Sequence, residues 1–231
     1  MKLLTPAFIL YIISGITFTI SSLMGYENVI FVSKPMIASS IIFHYINEVK
    51  YKVNYWHLLF LFSYFLSGVL NLFEDNQTLV YVLSFNMLSY SILLSFIVKK
   101  MFSINYRSID NVNLLYIILT IIFLITLAYL SLGLIFTKEN QMYFYFVLYA
   151  IILTSLVISS TVLYTLKHSN AIVYLLLAAF CYLICDLFYI IYYYYYDFIF
   201  FRLLSILSSV LSYYFVVNYF LKSNETIEVV E

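Results

Sequence analysis

Asp186 sits in the apolar stretch LICDLFYIIYYYYYDFIFFR, Leu183 to Arg202, with no other formal charge from Ala171 to Tyr196. A carboxylate in such surroundings costs kcal/mol unless it has a partner or keeps a proton. Two chemistries are therefore open to it, half of an ion pair or the donation of a proton. Other polar groups fall at matching depth. Counting about 1.5 Å per residue inward from one face, Asp186 and Asn86 lie about 12 Å in, Lys34 about 8 Å and Arg202 about 6 Å. Asn71 lies near the same end of its own apolar run. These five residues share one third of the bilayer and are able to line a single cavity. Ser205, Ser209 and Ser212 follow Arg202 at helical spacing, with Ser208 beside them, and this polar face should turn inward rather than toward lipid. Tyr182 and Tyr189 share the face of Asp186, with Ala179, and their hydroxyls can bond a carboxylate. Each group also has a plain structural use. Lys34 and Arg202 can snorkel to the interface, the asparagines can tie helices together, and the serines can pack.

The remaining chemical inventory is short. Cys181 and Cys185 are four residues apart on one helical face and read as packing residues. Two thiols with no histidine near them in sequence do not make a tetrahedral site, so no metal is expected, nor any other cofactor. His44 and His57 fall near helix ends on the opposite side and His168 in a loop, and none has a catalytic role in this reading. There is no serine nucleophile elbow, metal-binding histidine pair or phosphate loop. Any chemistry must use carboxylate, amide, hydroxyl and basic groups.

The elements that must position these residues are apolar spans. Of 231 residues, 65% are hydrophobic and 10% are charged, which excludes an ordinary soluble domain. Net charge is zero and no basic patch exists, so nucleic acid is not an expected partner; the bilayer and a lipid are. The 26 tyrosines and 22 phenylalanines are spread along the whole chain and read as a compositional bias. Apolar runs of about 20 residues predict an all-α integral membrane protein with about eight spans, near 5–25, 29–47, 55–73, 78–98, 112–136, 142–166, 171–194 and 198–221. Residues 1–222 form one transmembrane domain and 223–231 a short, frayed acidic tail. With the N-terminus in the cytoplasm, Lys2, Lys50, Lys52, Lys99, Lys100, Arg107, Lys167 and Lys222 lie inside, against Lys34, Lys138 and Arg202 outside. Eight basic residues against three, with an even number of spans, predict both termini in the cytoplasm and a multi-pass protein of the cell inner membrane. Oligomeric state is left open.

Three segments resemble the YhhN-like lysoplasmalogenase family. FVSKPMIASSII, containing Lys34 and Pro35, resembles the Thr-Lys-Pro-Leu opening of that family's second span. AAFCYLICDLF resembles its Gly-Ala-x-Leu-Phe-x-x-Ser-Asp motif, with Ala179 at the Ala and Asp186 at the Asp. YFVVNYF resembles its closing Tyr-x-x-Ala-Gln segment, with Tyr214 at the Tyr and Asn218 at the Gln. The chain departs from the pattern at two places: Ser67-Gly68, with Asn71 three residues on, stands where the family has Gly-Asp, and Ser89 stands where it has a His. The resemblance implies hydrolysis of the vinyl-ether bond of a lysoplasmalogen to a fatty aldehyde and a glycerophospho-base. It implies Asp186 as the catalytic acid, with Lys34, Asn71, Asn86, Tyr182, Tyr189, Arg202, Tyr214 and Asn218 around the lipid. The two departures keep open an inactive lipid-binding or sensing protein of the same fold. Intramembrane charge also leaves room for a small transporter, although four glycines and two prolines offer few broken helices.

Overall fold

A computed structural model describes residues 5–50, 53–73, 76–102, 111–136 and 142–228. These residues form eight α-helices: α1 (Pro6–Met24), α2 (Glu27–Glu48), α3 (Tyr55–Leu70), α4 (Asn76–Phe102), α5 (Asn111–Phe136), α6 (Tyr143–Leu166), α7 (Asn170–Ile190) and α8 (Ile199–Glu228). No strand occurs among the described residues. Seven of the helices are long and apolar enough to cross a membrane, and α3 is a shorter apolar helix. The chain is an integral multi-pass membrane protein built as a helical bundle. Of the basic residues that set the predicted orientation, Lys2, Lys52, Arg107 and Lys138 lie outside the described residues.

Local chemistry sets the helix ends. The Thr5 hydroxyl accepts from the Phe8 amide and Pro6 follows at the first helical position, a capped start that needs no further donor. Gly25 stops α1 at φ 75°, a left-handed conformation suited to glycine. Asn54 caps α3 by accepting from the Trp56 amide at 3.0 Å, and Ser169 caps α7 by accepting from the Ile172 amide at 3.4 Å. Lys99 and Lys100 occupy the last turn of α4, where positive charge complements the helix dipole.

Four boundaries differ from the spans read in the sequence, and the fourth span runs on as helix to Phe102. The third stops at Leu70, because Asn71 caps it, so α3 is about 24 Å long. The seventh changes at Ile191 into a π-helical turn, Ile191–Tyr195, before the chain breaks toward α8. The eighth continues as helix past residue 222 to Glu228, where a frayed tail was expected.

Consecutive helices pair as α1 with α2, α3 with α4, α5 with α6 and α7 with α8. Further packing of α2 on α3 and α8, α4 on α6, and α6 on α7 closes the bundle. Side-chain hydrogen bonds fix antiparallel pairs: Thr5 with His44, Ser89 with the Phe60 carbonyl, and Ser205 with the Cys185 carbonyl. The core centres on α7, where Ala178 and Ala179 let neighbours approach closely and Tyr182 is fully buried. α5 sits on the rim. Only 6% of its most apolar window is buried inside the protein, against 28–44% for the other six long helices. With α1 taken as rising from Pro6, the end of α1 and start of α2, and likewise of α3 and α4, α5 and α6, and α7 and α8, lie at the upper end.

Candidate functional site

The upper half of the bundle holds a cavity of about 780 Å³, a size within the usual range for small-ligand pockets. All eight helices and the π turn contribute to its wall. Six of the nine residues singled out in the sequence border it: Lys34 from α2, Asn71 at the end of α3, Asn86 from α4, Asp186 and Tyr189 from α7, and Arg202 from α8. The common depth inferred from residue counting therefore corresponds to a common space. Ser205 and Ser209 line it too, so the serine stripe of α8 faces inward.

Asp186 is enclosed by helices yet keeps one side open to the cavity, which makes it only half-buried. Its hydrogen-bond partner is Tyr149 of α6, whose hydroxyl donates to Oδ2 at 2.5 Å. The Tyr90 hydroxyl lies 3.4 Å beyond, so two phenols of α6 and α4 run from the carboxylate toward the bundle interior. Both rings are buried, at 8% and 1% exposure, and neither can swing away without repacking its neighbours. Residue counting misses Tyr149. It stands at about the same depth on its helix as Asp186, but depth alone does not separate it from the other tyrosines.

The two cations stand on aromatic rings rather than in open solvent. Lys34 Nζ is 5.8 Å from the Phe18 ring centroid, and the Arg202 guanidinium is 5.7 Å from that of Tyr192 in the π turn. Asn86 borders the cavity, and its Oδ1 is buried with no hydrogen-bond partner. Ser67 and Ser89 are occupied differently. Ser67 Oγ donates to the Val82 carbonyl at 3.2 Å, and Ser89 Oγ donates to the Phe85 carbonyl at 2.9 Å. Both hydroxyls serve backbone acceptors, Ser67 between α3 and α4 and Ser89 within α4 as well as toward the Phe60 carbonyl of α3.

The other three candidates lie elsewhere. Tyr182 is buried outside the cavity lining, with its ring centroid 5.3 Å from that of Tyr64 and 4.8 Å from that of Tyr90. Tyr214 packs near Phe8 in the lower half, at 5.9 Å between centroids. Asn218 spends its amide on its own helix, donating to the Tyr214 carbonyl at 2.9 Å. Cys181 and Cys185 are free thiols, and Cys185 borders the cavity. Among the described residues no group of three or more His, Cys, Asp or Glu is placed to hold a metal ion.

The arrangement combines one carboxyl group held by a phenol, two cations, an unmet amide oxygen and a largely apolar wall. Such a wall suits an amphiphile with an anionic head. No protein-family model, curated protein or solved structure matches the chain.

Proposed function

We propose that the protein is a membrane-embedded lipid hydrolase, resembling the lysoplasmalogenases, that cleaves the vinyl-ether bond of a lysoplasmalogen. The observation that carries this reading is Asp186, fixed by Tyr149 and facing a cavity of about 780 Å³ that also has Lys34 and Arg202 on its wall. Vinyl ethers hydrolyse by slow protonation at carbon, so the reaction needs a positioned acid more than a nucleophile. Asp186 in its acid form supplies the proton. Its O–H bond breaks as a C–H bond forms at the vinyl carbon one removed from the ether oxygen, leaving an oxocarbenium ion and a carboxylate. Water adds to the cationic carbon and returns a proton to Asp186. The hemiacetal then collapses to a fatty aldehyde and a glycerophospho-base. Lys34 and Arg202 hold the lipid phosphate, and Asn71, Asn86 and Tyr189 offer hydrogen bonds to the glycerol portion.

Lipid binding without turnover is a second reading, favoured by a specific observation. Among the described residues the wall carries one deep carboxyl group, Asp186, while Glu27 is exposed at the start of α2. Ser67 and Ser89, which stand where the resembling family has an acid and a histidine, are engaged with backbone carbonyls. Purified protein in detergent, offered a lysoplasmalogen and an ordinary lysophospholipid, distinguishes the two readings. The hydrolase releases aldehyde from the first and leaves the second intact. Binding of both with no aldehyde supports the second reading.

A further inference from the structure

The cavity has a side wall built unlike the others. α4 packs on α3 and α6, while α5 packs on α6, α7 and the π turn; the backbones of α4 and α5 do not approach each other closely along their length. Yet both contribute to the same cavity, Leu83 from α4 and Ala128 and Ser131 from α5, with Ala150, Leu153 and Thr154 of α6 between them. The cavity thus reaches between α4 and α5 as a cleft floored by α6. Its lining is small or apolar. Even Thr154 offers no free donor, because its hydroxyl already donates to the Ala150 carbonyl. Ala150, Tyr149 and Asp186 border the same cavity, so the cleft is continuous with the space beside the carboxyl group. An apolar cleft at membrane depth gains nothing from water and is filled most favourably by hydrocarbon. The helix that forms its outer wall, α5, is also the one held by the least burial.

We propose that the cavity opens sideways into the bilayer between α4 and α5, and that one alkyl chain of the lipid enters and lies along α6 there. The phosphate remains at Lys34 and Arg202. This inference rests on the lipid reading of the site and adds the route and resting place of the chain. The bond next to the glycerol is thereby drawn past Asp186, while the chain never crosses the polar side of the cavity. Ala128 and Ala150 keep the cleft wide enough for a chain.

Photolabelling in lipid nanodiscs tests the proposal. The probe is a lysophosphatidylcholine carrying a diazirine near the end of its alkyl chain, and labelled peptides are mapped by mass spectrometry. Label that excess unlabelled lysophosphatidylcholine displaces should fall on residues 79–83, 127–131 and 150–154, in the wild type and in Asp186→Asn alike. Ala150→Trp should reduce it at least about tenfold, and Ala128→Trp gives a second, independent block. Displaceable label confined to α1, α2 or α8, or no displaceable label, overturns the proposal, as does undiminished label in both tryptophan variants. Label in the cleft without aldehyde release removes the hydrolase reading and leaves the portal standing. Aldehyde release with label elsewhere does the reverse.

Discussion

Asp186 and His57 are both ionisable groups set inside an apolar bundle, and their surroundings differ in one respect. His57, at the lower end of α3, is closed in by side chains. Its ring stacks on Phe220 at 4.0 Å and 9°, Phe96 meets it edge-on at 5.3 Å, and its Nδ1 lies 2.8 Å from the Tyr45 hydroxyl. The imidazole is thus met from α2, α4 and α8, and it is buried. Asp186 has one firm partner, Tyr149, and its remaining side borders open volume. A buried polar group whose partners are all supplied by the fold serves the fold, whereas one left half-supplied at a cavity wall is available to something that enters. The same contrast separates Asn218, spent on its own helix, from Asn86, a residue of the cavity wall whose buried Oδ1 has no partner.

The largest stability effect should come from the lower end. His57→Ala removes a buried, stacked ring and its bond to the Tyr45 hydroxyl, so thermal unfolding in detergent should show a loss of about 3–5 kcal/mol. Activity per folded molecule should be unchanged, and a loss of activity without a loss of stability would erase the distinction between the two ends. Tyr149→Phe should act at the upper end. Removing the hydroxyl frees the Asp186 carboxyl group to rotate, and aldehyde release should fall about tenfold, equivalent to about 1.4 kcal/mol of barrier. A fall as deep as that of an Asp186 variant would instead make the phenol the acid. The smallest effect is expected for Asn86→Leu. No hydrogen bond is lost from Oδ1, so stability should stay within about 0.5 kcal/mol while lipid binding weakens. A stability loss above about 2 kcal/mol would mean that this amide ties helices together after all.

Much of this plan was legible before the structure. Eight apolar runs located eight helices, because a span needs about 20 apolar residues and the polar breaks between them are short. The depth of Lys34, Asn71, Asn86, Asp186 and Arg202 was legible too, since helical rise converts sequence position directly into distance from a membrane face. Lateral direction was not. Nothing in the residue order says that Tyr149 rather than Tyr182 reaches Asp186, because both sit on apolar helices in a chain with 26 tyrosines. Tyr214 and Asn218 came to notice through a short motif, and on α8 they lie about one and a half and two and a half turns below Ser209, the deepest serine of that stripe on the wall. The stacking of Phe220 on His57 joins residues far apart in the chain, for which no local pattern exists. The π turn likewise lies inside an unbroken run of tyrosines that gives no stop signal of its own.

The most direct test is Asp186→Asn, read for aldehyde release from lysoplasmalogen and for thermal stability in the same preparation. The amide keeps the size of the side chain and an oxygen that can accept from Tyr149, but it has no acidic proton. Stability should be retained, because an amide is cheaper to bury than a carboxylate. Aldehyde release should fall at least about a hundredfold, the scale of a lost general acid. Full activity with unchanged stability would contradict the account, for Asp186 would then serve neither the reaction nor the fold.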